Sequence, residues 1–209
     1  MSLSNSNDVL MEQLADKGNG SYAYVDTLAE AQNLFVDKLT GTLQVIALDA
    51  KVQVDFNPDT VARYRLIGYE NRAVADENFR NDSVDAGEIG AGHTATALYA
   101  VQLKPAASGR LATVQLRWED PDSHTVQEIN GNFNTFDLAP HFEAASPRYQ
   151  LAVTVAQYAE LLRHSPWTYE SSMNQILNQS ARLAELLPGD EQVREFNGLA
   201  WRAAQISGY

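Results

Sequence analysis

The sequence contains no cysteine. That excludes disulfides, thiolate metal sites and a cysteine nucleophile, and it fits the cytosol and an extracytoplasmic space equally. No apolar run approaches the ~20 residues that cross a bilayer as a helix, so direct membrane insertion is not expected. The opening residues, Met1 to Asn7, have neither the charged region nor the apolar region of a secretory signal. Basic clusters are missing too. Fifteen Lys and Arg stand against 27 Asp and Glu, for a net charge of −12. Nucleic-acid binding depends on clustered cations that displace counterions from phosphates. Nucleic acid and anionic membranes are therefore not expected partners.

What remains is an ordinary globular composition, 209 residues with 44% hydrophobic and 20% charged. That length allows one large domain or two small ones with a real core. The most ordered pattern lies in residues 52–103. Val52, Val54 and Phe56 alternate with Lys51, Gln53 and Asp55. This is the period of a half-buried strand, with the apolar set expected inward.

Along the chain, Asn7 suits an N-cap, apolar residues up to Leu14 fall near helical spacing, and Gly18 suits a stop. Residues 21–25 read as a short strand. Thr27 and Glu30 then form a T-x-x-E capping pattern, and Leu28, Ala31, Leu34, Phe35 and Leu39 line one side of a helix that ends at Gly41. Residues 7–40 thus read helix, strand, helix, one slice of an α/β sheet. A lone strand leaves both edges unpaired. The slice is therefore expected to be the tail of a larger α/β domain, its apolar helix faces buried elsewhere or in a second copy.

Residues 42–56 are strongly β-prone, and Asn57-Pro58-Asp59 signals a turn. Residues 61–69 read as a central strand, since Leu66 and Ile67 put apolar groups on both faces. Residues 75–85 form a polar, acidic loop. Residues 94–103 alternate again, with Ala95, Ala97, Tyr99, Val101 and Leu103 facing in. In residues 111–118, Ala112, Val114, Leu116 and Trp118 face in. Two weaker strands are expected over 125–129 and 132–138. Short strands with turns between them predict an antiparallel sandwich. From Ser146-Pro147, an N-cap and N1 pair, the period becomes helical. Three helices are predicted. The first buries Ala152, Val155, Ala156, Ala159 and Leu162. The second, from about residue 170 to 187, buries Met173, Ile176, Leu177, Ala181, Ala184 and Leu187. The third, 191–206, uses Val193, Phe196, Leu199, Ala200 and Ala203.

No catalytic constellation stands out. The glycines of GEIGAGH, Gly87, Gly90 and Gly92, would need a following helix to cradle phosphate, but a strand follows, so a tight bend is expected. His93 is the histidine best placed for chemistry, yet there is no G-x-S-x-G elbow and no second histidine at metal spacing. Asp76, Glu77, Asp82, Asp85 and Glu88 fit no EF-hand spacing. Arg63, Arg65, Glu70 and Arg72 are polar residues on the β-rich stretch, suited to cross-strand ion pairs or to a binding surface. Trp118, Trp167 and Trp201 read as packing residues.

Four strings carry a family resemblance: NDVLMEQLADKGNGSYAYVDTLAEAQNLF, GTLQVIALDAKVQVDFNP, YRLIGYENR and DAGEIGAGHTATALY. With these the chain resembles a bacterial family of von Willebrand factor type A (VWA) domain proteins, in which a C-terminal domain of unknown function follows the VWA domain. The resemblance implies that residues 7–40 are the last helix, strand and helix of that domain. A VWA domain usually holds a divalent metal, Mg²⁺ or another, on a D-x-S-x-S motif. That motif does not occur in this sequence, since Asp82-Ser83 is followed by Val84-Asp85. No metal ligand carries over to this chain, and no cofactor is expected in it. The resemblance also implies an extracytoplasmic parent: periplasmic, membrane-anchored or on the cell surface.

The expectation is an α+β chain in three parts. Residues 1–40 are the VWA remnant, 41–145 an antiparallel β-sandwich, and 146–209 a three-helix segment. Function is expected to be non-catalytic interaction or scaffolding, with an unidentified protein partner and self-association through residues 1–40. Arg65, Glu70, Arg72, Asp85, Glu88 and His93 are the candidate binding surface. The alternatives are a hydrolase-type enzyme or a ligand-binding sandwich with its site near Asp85, Glu88 and His93.

Overall fold

A computed structural model describes residues 10, 11, 14, 25, 27–37, 44–68, 78–81, 86–168 and 171–207. The protein is α+β. Among the described residues six strands, β1 (Val45–Phe56), β2 (Val61–Ile67), β3 (Gly87–Gly90), β4 (Leu98–Leu103), β5 (Arg110–Glu119) and β6 (Val126–Asn134), form a four-stranded sheet, β3-β1-β5-β6, and a two-stranded one, β2-β4. Three long helices follow. The chain divides into two compact units. The first comprises Met1–Val61, Arg72–Thr96 and Lys104–Asn134; the second comprises Ala62–Asn71, Ala97–Leu103 and Thr135–Tyr209.

In the first unit β1 pairs antiparallel with β3 on one side and β5 on the other. The β1–β5 register shifts between Leu48 and Lys51. Asp49 takes a left-handed φ of 48° there, a conformation that Asp tolerates better than most residues. Its carboxylate accepts the Ala86 N–H at 3.0 Å. The predicted turn at Asn57-Pro58-Asp59 is present. The Asn57 side chain accepts the Asp59 N–H at 3.0 Å and donates to the Arg110 carbonyl at 2.9 Å. The β5–β6 hairpin closes on Asp120, which accepts from the Ser123 N–H at 2.8 Å and the Ser123 hydroxyl at 2.9 Å.

Three strand expectations are corrected. The two weak strands over 125–129 and 132–138 are a single strand, β6, followed by a 3₁₀ turn, Thr135–Asp137. Gly131 does not interrupt it because the ladder to β5 continues across it. The strand expected from residue 94 begins at Leu98, and Ala95 and Ala97 are exposed. Among the described residues β2 pairs with β4 alone, so it lies at an edge rather than at the centre.

In the N-terminal segment, α1 (Leu28–Gln32) continues into a π-type turn, Asn33–Asp37. The expected helix over 27–39 is therefore present across its described part. Leu10, Met11 and Leu14, within the expected first helix, are also helical. The expected strand over 21–25 lies outside the described residues, apart from Val25. Ala31 and Leu34 are half-buried, but Leu10, Met11, Leu14, Leu28, Phe35 and Val36 are exposed. Among the described residues, the expected burial is thus found in part at Ala31 and Leu34 and not at the others.

The second unit contains α2 (Pro147–Leu162), α3 (Met173–Leu186) and α4 (Glu191–Ser207). Ser146 caps α2 as predicted, accepting the Tyr149 N–H at 3.3 Å. Ser172 and Gln175 form a capping box on α3. Asp190 accepts the Gln192 and Val193 N–H groups at the start of α4. The core is Met173, Ile176, Ala200 and Ala204, with Tyr158, Leu161, Leu177, Phe196 and Ala203 against it.

The buried face of α2 differs from the expectation. Val155, Ala159 and Leu162 are exposed, while Gln150, Thr154 and Glu160 are buried. Burial of these polar groups is tolerated because each is hydrogen-bonded. Gln150 donates to the Glu143 and Ala145 carbonyls at 3.2 and 2.7 Å and accepts from Arg182. Thr154 donates to the Gln150 carbonyl, and Glu160 accepts from Ser165 and Arg163. On the later helices Ala181 and Leu199 are likewise exposed, and Ser180 and Leu183 are buried instead. Trp118 is half-buried, but Trp167 and Trp201 are exposed, against their reading as packing residues.

Candidate functional site: an open apolar sheet face

The register of β1, β5 and β6 sorts their side chains into two faces. Val52 lies opposite Leu116, Val54 opposite Val114 and Phe56 opposite Ala112. Leu116 lies in turn opposite Ile129, Val114 opposite Gly131 and Ala112 opposite Phe133. One face of three adjacent strands is therefore almost wholly apolar. The other carries Lys51, Gln53, Asp55, Thr113, Gln115, Arg117, Glu128, Asn130 and Asn132, because strand side chains alternate.

The chain's own short segment, residues 78–81, lies on part of the polar face, where Asp55, Asn130 and Asn132 stay exposed. Lys51 is only 4% exposed, and its ammonium donates to the Asn81 carbonyl at 2.8 Å. Phe79 is buried. The Arg80 guanidinium donates to Gln115 at 3.0 Å and to Glu128 at 2.7 Å. Arg117 reaches the second oxygen of Glu128 at 3.3 Å. The Arg80 hydrogen bond, with the Arg80 and Arg117 charges, holds the Glu128 carboxyl below the usual carboxylate range. Glu128 in turn raises Arg80.

The apolar face is left half-open. Val52 is 62% exposed, Ile129 57%, Phe133 41% and Val114 40%, while Val54, Phe56, Leu116 and Trp118 are half-buried. This reverses the expectation for β1, where Val52 was to face inward and Lys51 outward. Alternation divides a strand into two faces but does not say which one the chain will cover. A contiguous apolar patch on a sheet is an unusual thing to leave in water and commonly marks an interaction surface.

The sequence-predicted surface is only partly placed. Glu70, Arg72 and Asp85 lie outside the described residues. Glu88 is exposed on β3, and His93 is exposed three residues beyond that strand, its N–H donating to the Gly90 carbonyl at 3.0 Å. The glycine cluster is the expected bend: Gly92 has a φ of 78°, and the backbone runs on irregularly to β4 with no helix start. Arg65 belongs to the second unit. Its guanidinium stacks 4.7 Å over the exposed Trp167 ring and lies 3.6 Å from buried Glu160. Among the described residues no three His, Asp or Glu side chains converge in a metal-binding group. Sequence reasoning missed the apolar face as a site, although its residues were visible as alternating strands.

These features define an α+β module of two antiparallel sheets followed by three helices, with an open apolar sheet face. Residues 41–110 and 102–204 match the family described as "Uncharacterized protein YfbK, C-terminal", and the chain belongs to that family. It is 36% identical over 192 residues to the uncharacterized protein YfbK of Escherichia coli (strain K12), an alignment covering 83% of this chain. The same alignment covers 32% of YfbK, so the chain spans about a third of the length of this curated relative. No solved structure matches.

Proposed function

We propose that this chain is a non-catalytic interaction module that follows a VWA domain in its parent, and that the open face of β1, β5 and β6 receives a protein surface. The observation that carries the reading is the apolar face of β1, β5 and β6, on which Val52, Val114, Ile129 and Phe133 stand open. Covering these residues removes apolar surface from water at about 25 cal/mol per Å². The VWA domain, its Mg²⁺ or other divalent ion, and the extracytoplasmic setting of the parent rest on the sequence resemblance. In this reading the metal belongs to the preceding domain and binding by this module does not depend on it.

The test is capture of partners by the full-length parent, in divalent metal and in chelator, alongside its Val52→Asp variant. Val52 is exposed, so the variant is expected to fold. A partner retained in chelator but lost with Val52→Asp supports the reading. Capture unchanged by Val52→Asp, or abolished by chelator alone, would place the interaction elsewhere in the parent.

A further inference from the structure

β6 is the outer strand of the four-stranded sheet. Sheets usually protect such an edge with lysine, proline, a bulge or a covering segment. The sequence of β6, VQEINGNFN, contains neither lysine nor proline. Its pairing with β5 is regular from Ala112 opposite Phe133 to Glu119 opposite Val126. The one ionisable side chain, Glu128, is held by Arg80 and Arg117. In a chain of net charge −12, this edge is locally neutral. Every residue from Val126 to Phe133 is exposed.

The Asp120 N–H donates to the Thr125 carbonyl, which fixes the phase of the ladder. In an antiparallel pair, hydrogen-bonded and non-hydrogen-bonded positions alternate. Gln127, Ile129 and Gly131 therefore bond toward β5. Val126, Glu128, Asn130 and Asn132 turn their N–H and C=O groups outward, where no strand among the described residues pairs with them.

We propose that a second copy of this chain adds antiparallel to the open edge of β6, about a two-fold axis at Gly131. Two chains paired in this way must set odd positions against odd positions, so that outward groups meet and each face continues across the axis. With Gly131 opposite itself, Ile129 lies opposite Phe133 of the second copy, twice. These pairs fall at non-hydrogen-bonded positions of the new ladder, where side chains approach most closely, and a β-branched residue beside an aromatic one is a favourable cross-strand pair. Asn130 meets Asn132, twice, through outward backbone groups. Glu128 faces Asn134 rather than its own copy, so like charges do not meet. Gly131 leaves room at the axis for the flanking Ile129 and Phe133 side chains. The apolar faces of the two sheets then join into one.

The test is sedimentation of the full chain over a concentration series, with two variants. The expected mass rises from 23.1 kDa toward twice that value. Asn130→Pro removes an outward N–H without touching a bond to β5, and is expected to remain monomeric at every concentration. The second variant is independent of that backbone change. The chain has no cysteine, and a Cβ at Gly131 meets nothing within 4 Å, so Gly131→Cys places one thiol at the axis. Mild oxidation should give a disulfide dimer of Gly131→Cys much faster than of Val52→Cys, whose thiol is exposed away from the axis. A chain monomeric throughout the series would overturn the proposal, as would equal cross-linking of the two cysteine variants. Dimerisation abolished by Phe35→Glu but untouched by Asn130→Pro would overturn it as well, and would assign association to the N-terminal helix.

Discussion

The Lys51 ammonium and the Asn81 carbonyl meet at 2.8 Å beneath a short segment whose Phe79 is buried. With the Arg80 bonds to Gln115 and Glu128, this bond ties residues 78–81 to the polar side of the sheet. A lysine can serve here because its stem packs against neighbours while its head group finds an acceptor.

Lys51→Ala should therefore destabilise the protein by roughly 1–3 kcal/mol, the cost of leaving a buried polar group without its partner. Lys51→Met, which keeps the stem, should cost less. Urea denaturation would show the midpoint falling with little change in slope. An unchanged midpoint for Lys51→Ala would mean that the bond does not hold the segment.

Glu128 gives a pH signature. Its folded carboxyl is held below the ordinary value, first by the Arg80 hydrogen bond. A depressed acid stabilises the fold above its unfolded value, and that contribution is lost as pH falls through the folded value. A carboxyl NMR titration should place Glu128 below the ordinary glutamate value. In Arg80→Ala the midpoint should move up, while Arg117 keeps part of the depression. Added salt should shift it in the same direction, because the group is on the surface.

The helical unit should respond to its caps and its core on different scales. Ser172→Ala removes one half of the capping box and should cost about 1 kcal/mol. Ile176→Ala, at a position 1% exposed, should cost roughly 2–5 kcal/mol. Thermal unfolding followed by helical circular dichroism would rank the two. Equal losses would contradict the packing of α3.

Buried Glu160 accepts from the Ser165 hydroxyl at 2.7 Å, is bonded to Arg163 and lies 3.6 Å from Arg65. Glu160→Ala should cost roughly 1.5–3 kcal/mol, as for hydrogen bonds to charged groups. Arg65→Lys should not restore the emission of Trp167 seen with arginine, because only the planar guanidinium stacks on the ring. Trp167 fluorescence in a variant with Trp118 and Trp201 replaced by Phe would report it.

The sequence by itself determined the local punctuation and the element types. The Asn57-Pro58-Asp59 turn and the Ser146 cap with Pro147 behind it each act over about four residues. Their outcome depends on neighbours in the chain, so the residues there suffice. Alternation likewise divided β1 and β5 correctly into apolar and polar sets. Tertiary structure alone decided which set is covered. Period two is the same whichever side residues 78–81 settle on, and the buried Lys51 ammonium donates its hydrogen bond to a carbonyl distant in sequence. On α2, Gln150 and Glu160 lie inside while Val155 and Leu162 lie outside, and only Arg182 and Arg65 among their partners come from distant segments. The candidate surface was visible in the sequence as residues, Val52, Val114, Ile129 and Phe133. Its being open was not, because exposure depends on what the rest of the chain covers.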